Sequence, residues 1–324
     1  MTNSDNIVPR EFLDALDTYD QDADRVLRPF VEALDSTPPP PTIYHYTNDL
    51  GLKGILETGT FWFTDIFDLN DPSELRHGFS QAVNILENGS RAELPETQKF
   101  AADFARFNVE GAIEESGHFF VCCFSAAGDD LGQWRAYADN GCGFALGFEA
   151  LALEQAFAKK DGIPILNHSS FPVTYDDQRL IDIQNQLVQK MLHLISLPRS
   201  KRIHPAAINP YMWDLATRHA IHITRAVLFF KHEAYKNEAE YRFLQLYSKD
   251  RTAPAVKYRH RPYSLVRYRE FDWKAVAPKA LNKIVIGPAA DRAKAVQFAR
   301  DCMEAFHTEG EISIVHSTIP YRSR

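Results

Sequence analysis

The chain has 324 residues, 45% hydrophobic and 24% charged, the balance of an ordinary globular protein. That length buries a sizeable core without a metal or disulfide framework, and Cys122, Cys123, Cys142 and Cys302 lack zinc-site spacing, so no metal is expected. No run reaches the ~18 apolar residues of a membrane span, and the start lacks the basic and apolar regions of a secretory signal, so a cytoplasmic protein with no membrane partner is expected.

The net charge of −7 is uneven. Residues 1–35 hold nine acids and three Lys/Arg, a net of −6, while Arg251 to Lys274 carries seven Lys/Arg against two acids, a net of +5. That contrast fits contact between the two segments, or an anionic ligand on the second.

Phe12, Leu13, Leu16 and Tyr19, then Val26, Leu27, Phe30, Val31 and Leu34, recur at three- and four-residue steps. They predict one or two amphipathic helices, an acidic arm over residues 1–37. Pro38 to Pro41 forms a stiff linker, and residues 42–324 are expected as a single domain. That domain opens with a strand over 42–47, a helix over 49–57, a turn at Gly59 and a strand over 60–64. Asp71-Pro72 fits a helix start, and 73–115 reads as helices with polar breaks. Strands are expected over 118–125, 143–148, 241–247, 281–286 and 312–316. Helices are expected over 130–138, 150–158 and 292–306, with a helical insert over about 176–232 broken near Pro198 and Pro205. Strands and helices interleave without a βαβ rhythm. The fold class is therefore α+β, with a mixed and mostly antiparallel sheet.

No phosphate loop, dinucleotide fingerprint, His-Glu-x-x-His or Gly-x-Ser-x-Gly motif is present. Cys123 and Cys142 lie in apolar strand contexts, where an inert buried thiol is the default. Polar residues cluster instead where strands end. His45 sits in Tyr44-His45-Tyr46-Thr47 ahead of a helix, although a lone strand histidine is more often a packed core residue. Phe61-Trp62-Phe63 is core or a stacking platform. Asn70 belongs to the Asn70-Asp71-Pro72-Ser73-Glu74 loop, which a helix cap explains in part. Arg135, beside Tyr137, can grip a phosphate or carboxylate in a bidentate way. A strand beginning by Glu238 places Glu238 and Glu240 on one face, where they repel unless Lys236, Arg242 or another cation relieves them.

These segments, with Cys123-Phe124-Ser125, Gln133-Trp134-Arg135-Ala136-Tyr137-Ala138, Gly143 to Phe148, Tyr235 to Arg242 and Ile284 to Pro288, resemble a bacterial family known as domain of unknown function 2971. More distantly, the opening segment is similar to ADP-ribosyltransferase-like folds, which implies such a core carrying large helical insertions and the N-terminal arm. In that family a first-strand His or Arg holds the ribose of NAD and a later-strand Glu serves catalysis. The resemblance implies His45 in the first role and Glu240, or Glu238 in a Glu-x-Glu arrangement, in the second. It also implies Tyr46, Thr47, Trp62, Asn70, Arg135, Tyr137 and Arg242 as ligand contacts, with NAD as the substrate. The expected function is an NAD-dependent ADP-ribosyltransferase or NAD-cleaving effector in a toxin or phage-defence setting. Its acceptor would be a protein or nucleic acid, and an antitoxin is a candidate partner. The alternative is a nucleic-acid-binding module that uses the basic, aromatic-rich segment 251–274.

Overall fold

Phe12, Leu16, Tyr19, Ala23, Leu27 and Phe30 recur every three or four residues, and all six are buried along one side of a single helix, α1 (Arg10–Asp35). After the prolines comes β1 (Thr42–Thr47), then α2 (Asp49–Thr58) and β2 (Thr60–Asp65). The Asn48 side chain caps α2 by accepting from Gly51 N–H at 2.8 Å, and Gly59 at φ 68° ends it. Next are α3 (Ser73–Asn88), α4 (Pro95–Phe104), α5 (Val109–Ser116), β3 (Gly117–Ser125), α6 (Leu131–Tyr137), β4 (Phe144–Glu149), α7 (Ala150–Asp161) and β5 (Ser170–Pro172). The long helices α8 (Asp177–Ser200) and α9 (Pro205–Val227) precede β6 (Glu240–Ser248), β7 (Lys257–Arg261), β8 (Ser264–Asp272), α10 (Trp273–Val276), β9 (Leu281–Ile286), α11 (Arg292–Phe306) and β10 (Ser313–His316). The computed structural model describes residues 7–69, 73–89, 92–161, 170–248, 256–307 and 309–321.

Two compact units result. One combines Met1–Leu34, Asn70–His118 and Thr174–Glu233, and the other Asp35–Leu69, Phe119–Val173 and Ala234–Arg324. The sequence pattern divides the chain otherwise, into an arm and a linker ahead of one domain with a helical insert. The apolar stripe of α1 must be buried somewhere, and it is buried among helices. Phe12 meets Tyr211 of α9 edge to face at 5.3 Å, and Phe30 stacks on Phe230 at 4.9 Å. The expected insert supplies α8 and α9 of this unit. Acids of α1 pair within the same unit. Asp17 and Asp20 bind Arg218, Asp20 also meets His222 at 2.8 Å, and Asp24 binds Arg225 at 2.7 Å.

The second unit carries the sheet, in the order β10-β9-β4-β1-β3-β2-β8-β7, with β6 pairing both β3 and β5. The β9–β10 pair is parallel, and the pairs β1–β3, β1–β4, β2–β3, β2–β8, β4–β9, β5–β6 and β7–β8 are antiparallel. The α+β class with a mostly antiparallel sheet is what forms. Its main core gathers alternate residues of neighbouring strands, among them Phe61 and Phe63, Phe120, Cys122 and Phe124, and Tyr241 and Phe243. The β7–β8 hairpin lies in the segment that the sequence marked only as basic. Pro262 and Tyr263 make its turn, with Tyr263 in the left-handed region at φ 64°. Among the described residues no helix is long and apolar enough to cross a membrane.

Candidate functional site

Backbone groups of alternate strand residues point to opposite edges, and β3 uses both of its edges. One edge sets Ser125 opposite Tyr44 of β1 and Val121 opposite Thr64 of β2. On the other, Ala126 N–H donates to the Ala239 carbonyl at 2.8 Å, just ahead of β6. The Cys123 carbonyl therefore faces the split where β1 and β2 part. The His45 ring meets it there, with Nδ1 at 3.2 Å. A carbonyl only accepts, so Nδ1 carries the hydrogen and Nε2 of the neutral ring is an acceptor. The Phe61 and Phe124 rings flank the imidazole at 5.6 and 5.5 Å. Burial lowers the His45 pKa, the Arg259 charge adds to the effect, and the bond to Cys123 opposes it.

β6 alternates as its residue types demand. Tyr241 and Phe243 enter the core, while Glu240 and Arg242 occupy the opposite face. Arg242 Nε donates to Glu240 Oε1 at 2.5 Å and a second nitrogen to Oε2 at 3.3 Å, a two-point ion pair whose side chains are 3% and 6% exposed. Burial, and next the charge of Glu240, push the Cys123 thiol far above its ordinary pKa, the mark of an inert cysteine. One residue of β3 thus has His45 on its carbonyl and Glu240 against its side chain. The two proposed catalytic groups border Cys123 from different directions.

The expectation that Glu238 and Glu240 share a strand face is corrected. Glu238 closes a short 3-10 turn, Ala239 takes φ 43°, and β6 begins only at Glu240. A left-handed residue between the acids breaks the two-residue alternation that would align them. Glu238 instead sits at the rim. Its carbonyl accepts from Ser125 Oγ at 2.6 Å, and its carboxylate lies 3.5 Å from the Tyr137 hydroxyl.

The other expected contacts are distributed differently. Tyr46 is buried, donating to the Ala127 carbonyl at 2.7 Å and accepting from Asp130 N–H at 3.2 Å, and so ties down the loop after β3. Asp129 in that loop accepts from Trp134 Nε1 at 2.8 Å, Ser317 Oγ at 2.5 Å and Thr318 N–H at 2.8 Å. Burial alone would raise its pKa, but these bonds outweigh it and hold the carboxyl below its usual range. The anchored loop starts α6, which buries Gln133 and Trp134 and leaves Arg135 and Tyr137 exposed. Arg135 meets no carboxylate among the described residues. Thr47 ends β1 opposite Phe144, and its carbonyl sits where a Cβ on Gly143 would come to 2.3 Å, so only glycine fits there. Trp62 lies on the sheet face away from the core, 4.6 Å from Tyr268, with the Arg259 guanidinium over its ring at 5.5 Å. Asn70 lies outside the described residues. The structure therefore brings Glu240, Arg242, Glu238 and Tyr137 together around Cys123 and Ser125, with His45 at the adjoining split. Trp62 belongs to a neighbouring face that also holds Arg259. The alternation in Lys257-Tyr258-Arg259-His260-Arg261, followed by Pro262, was the available sign of that hairpin.

Residues 133–243 match the model of the family described as Protein of unknown function (DUF2971). The likeness read from the sequence is shown over that segment, which runs from Gln133 at the start of α6 through the Glu240–Arg242 pair. No curated protein and no solved structure matches the chain.

Proposed function

We propose that the chain cleaves the nicotinamide–ribose bond of NAD and passes the ADP-ribosyl group to a macromolecular acceptor or to water, on an ADP-ribosyltransferase-like core. The observation that carries this reading is the Glu240 carboxylate, held at the first residue of β6 on the face away from the core and kept in place by Arg242. Cleavage breaks the C1′–N bond. Its electron pair leaves on the nicotinamide nitrogen, and positive charge develops on the ribose. A fixed carboxylate stabilises that charge as it forms. Glu238, half-buried beside Tyr137, takes the proton of the attacking hydroxyl in this reading. His45 acts here as a positioning residue bound to the Cys123 carbonyl at the strand split, with Nε2 the atom able to accept from a ligand hydroxyl. An effector role in toxin or phage-defence systems is the setting such an activity fits.

Nicotinamide release from NAD by the purified chain tests the reading. Glu240→Gln should lower the rate ~100–1,000-fold, as loss of a preorganised charge-stabilising group does elsewhere. Glu240→Asp retains the charge beside Arg242 but withdraws it by one methylene, so it should stay folded by circular dichroism and still lose most turnover. Undiminished release from either folded variant sinks the assignment, and no release from the wild-type chain sinks the reading.

A further inference from the structure

Arg259 is a cation of the 251–274 segment that forms no ion pair with a carboxylate among the described residues, although the charge of Asp68 lies near enough to favour it. Lys257 pairs with Glu270 at 2.6 Å, and Arg267 with Asp68 at 2.8 Å. Arg261 donates to the Asp68 carbonyl at 2.9 Å and Lys274 to the Leu56 carbonyl at 3.3 Å, while Arg269 is buried over the Phe120 ring. Arg259 donates only to the Thr64 hydroxyl, at 3.1 Å, and meets no carboxylate among the described residues. On balance its surroundings do not favour the charge. Burial, and after it the charge of Arg261, lower its pKa.

The strand register places this guanidinium beside an aromatic surface. Trp62 is opposite Glu270 and Thr64 opposite Tyr268, while Lys257 faces Tyr268 and Arg259 faces Val266. Trp62, Thr64, Tyr268 and Arg259 therefore share one face of the β2–β8–β7 sheet, opposite the face that carries Phe61, Phe63 and Phe271 into the core. On it, the Tyr268 ring lies 4.6 Å from the indole and the Arg259 guanidinium 5.5 Å from its centre, and Trp62 keeps 44% of its surface exposed.

A guanidinium has five N–H donors in a planar fork, and Thr64 occupies one direction of this one. A half-buried charge with donors to spare is best completed by an oxyanion, and a phosphate fits the fork in two-point fashion. The half-exposed indole alongside offers stacking to a flat ring, which sulfate or a simple carboxylate would not use. We propose that the Trp62–Thr64–Arg259 face binds a nucleotide, with Arg259 taking a phosphate and Trp62 stacking on the base. The choice of nucleotide rests on the NAD reading, because NAD carries both parts. The site itself does not depend on Glu240.

Calorimetric titration of the full chain with ADP, adenosine and inorganic pyrophosphate tests this. ADP has no nicotinamide–ribose bond, so its binding is read independently of any cleavage. ADP should bind more tightly than either adenosine or pyrophosphate, because only it supplies both phosphate and ring. Arg259→Gln should weaken ADP about tenfold or more, the loss of roughly one charge-assisted contact. Arg259→Lys should recover only part, since it restores the charge without the fork. Trp62→Leu should weaken ADP and adenosine but leave pyrophosphate unchanged. The inference is overturned if ADP does not bind, if adenosine binds as well as ADP, or if the folded Arg259→Gln chain keeps wild-type affinity. Loss of NAD cleavage with ADP binding intact would count against the Glu240 chemistry alone.

Discussion

Two ionic clusters, one in each unit, use the same side-chain types for different ends. In the helical unit, Asp17, Asp20 and Asp24 of α1 meet Arg218, His222 and Arg225 of α9, and the Asp20 and Asp24 carboxylates remain 38% and 45% exposed. Water screens each of these pairs, so individually they contribute little and collectively they set the register between two helices. In the sheet unit, the Glu240–Arg242 pair is withdrawn from solvent. Taking both charges out of water costs nearly as much as their attraction returns, so the pair is a poor device for stability alone. Removing either partner strands the other. The contrast separates a latch that tolerates loss of one member from a pair that does not, and the second kind of arrangement is the one worth testing for chemistry.

The strongest way to break the comparison is Arg242→Met. It leaves Glu240 buried without a counter-charge and should cost about 3–5 kcal/mol in urea denaturation, while the double variant Glu240→Gln/Arg242→Met regains most of that. If the single variant costs no more than a surface change, the pair is not the buried unit described here. An acid titration sharpens the other side. Burial, with the neighbouring His222, depresses the His219 pKa to about 3. The unfolded chain takes up this proton near pH 6.5 while the folded chain does not, so stability should fall as pH drops from about 6.5 toward 3. Burial tends to raise the Asp20 pKa, but His222 and Arg218 together hold it below its usual value. Its contribution is therefore present above the ordinary carboxylate range and is lost on further acidification, in the same direction. His219→Gln should flatten the upper part of the loss in thermal midpoint, and an unchanged profile would show that another group carries it. The smallest effect is expected from Asp24→Asn, which removes the partner of Arg225 at a half-exposed site. It should shift the denaturation free energy by only ~0.2–1 kcal/mol, an effect reduced further by salt.

Local pattern made much of the molecule legible. The stripe from Phe12 to Phe30 is a helix because three- and four-residue steps put those side chains on one side. Thr42 to Thr47, with the Asn48 cap and Gly59 stop of the following helix, reads from turn and cap chemistry alone. The residue types of the candidate site were legible too, since Tyr137, Glu238, Glu240 and Arg242 fall within two short segments. Three matters lay beyond the sequence, each because it depends on contacts between residues far apart in the chain. The first is that α1 completes a helical unit with α9 about 200 residues later, since an apolar stripe states that it needs cover and not which surface supplies it. The second is that His45 meets the Cys123 carbonyl at a split on β3, because a strand sequence does not say where two neighbours diverge along one edge. The third is that Arg259 donates to the Thr64 hydroxyl while Arg267 pairs with Asp65 and Asp68 and Lys257 with Glu270. Net charge counts cations, but only the register of β2, β8 and β7 decides which of them finds an acid within reach.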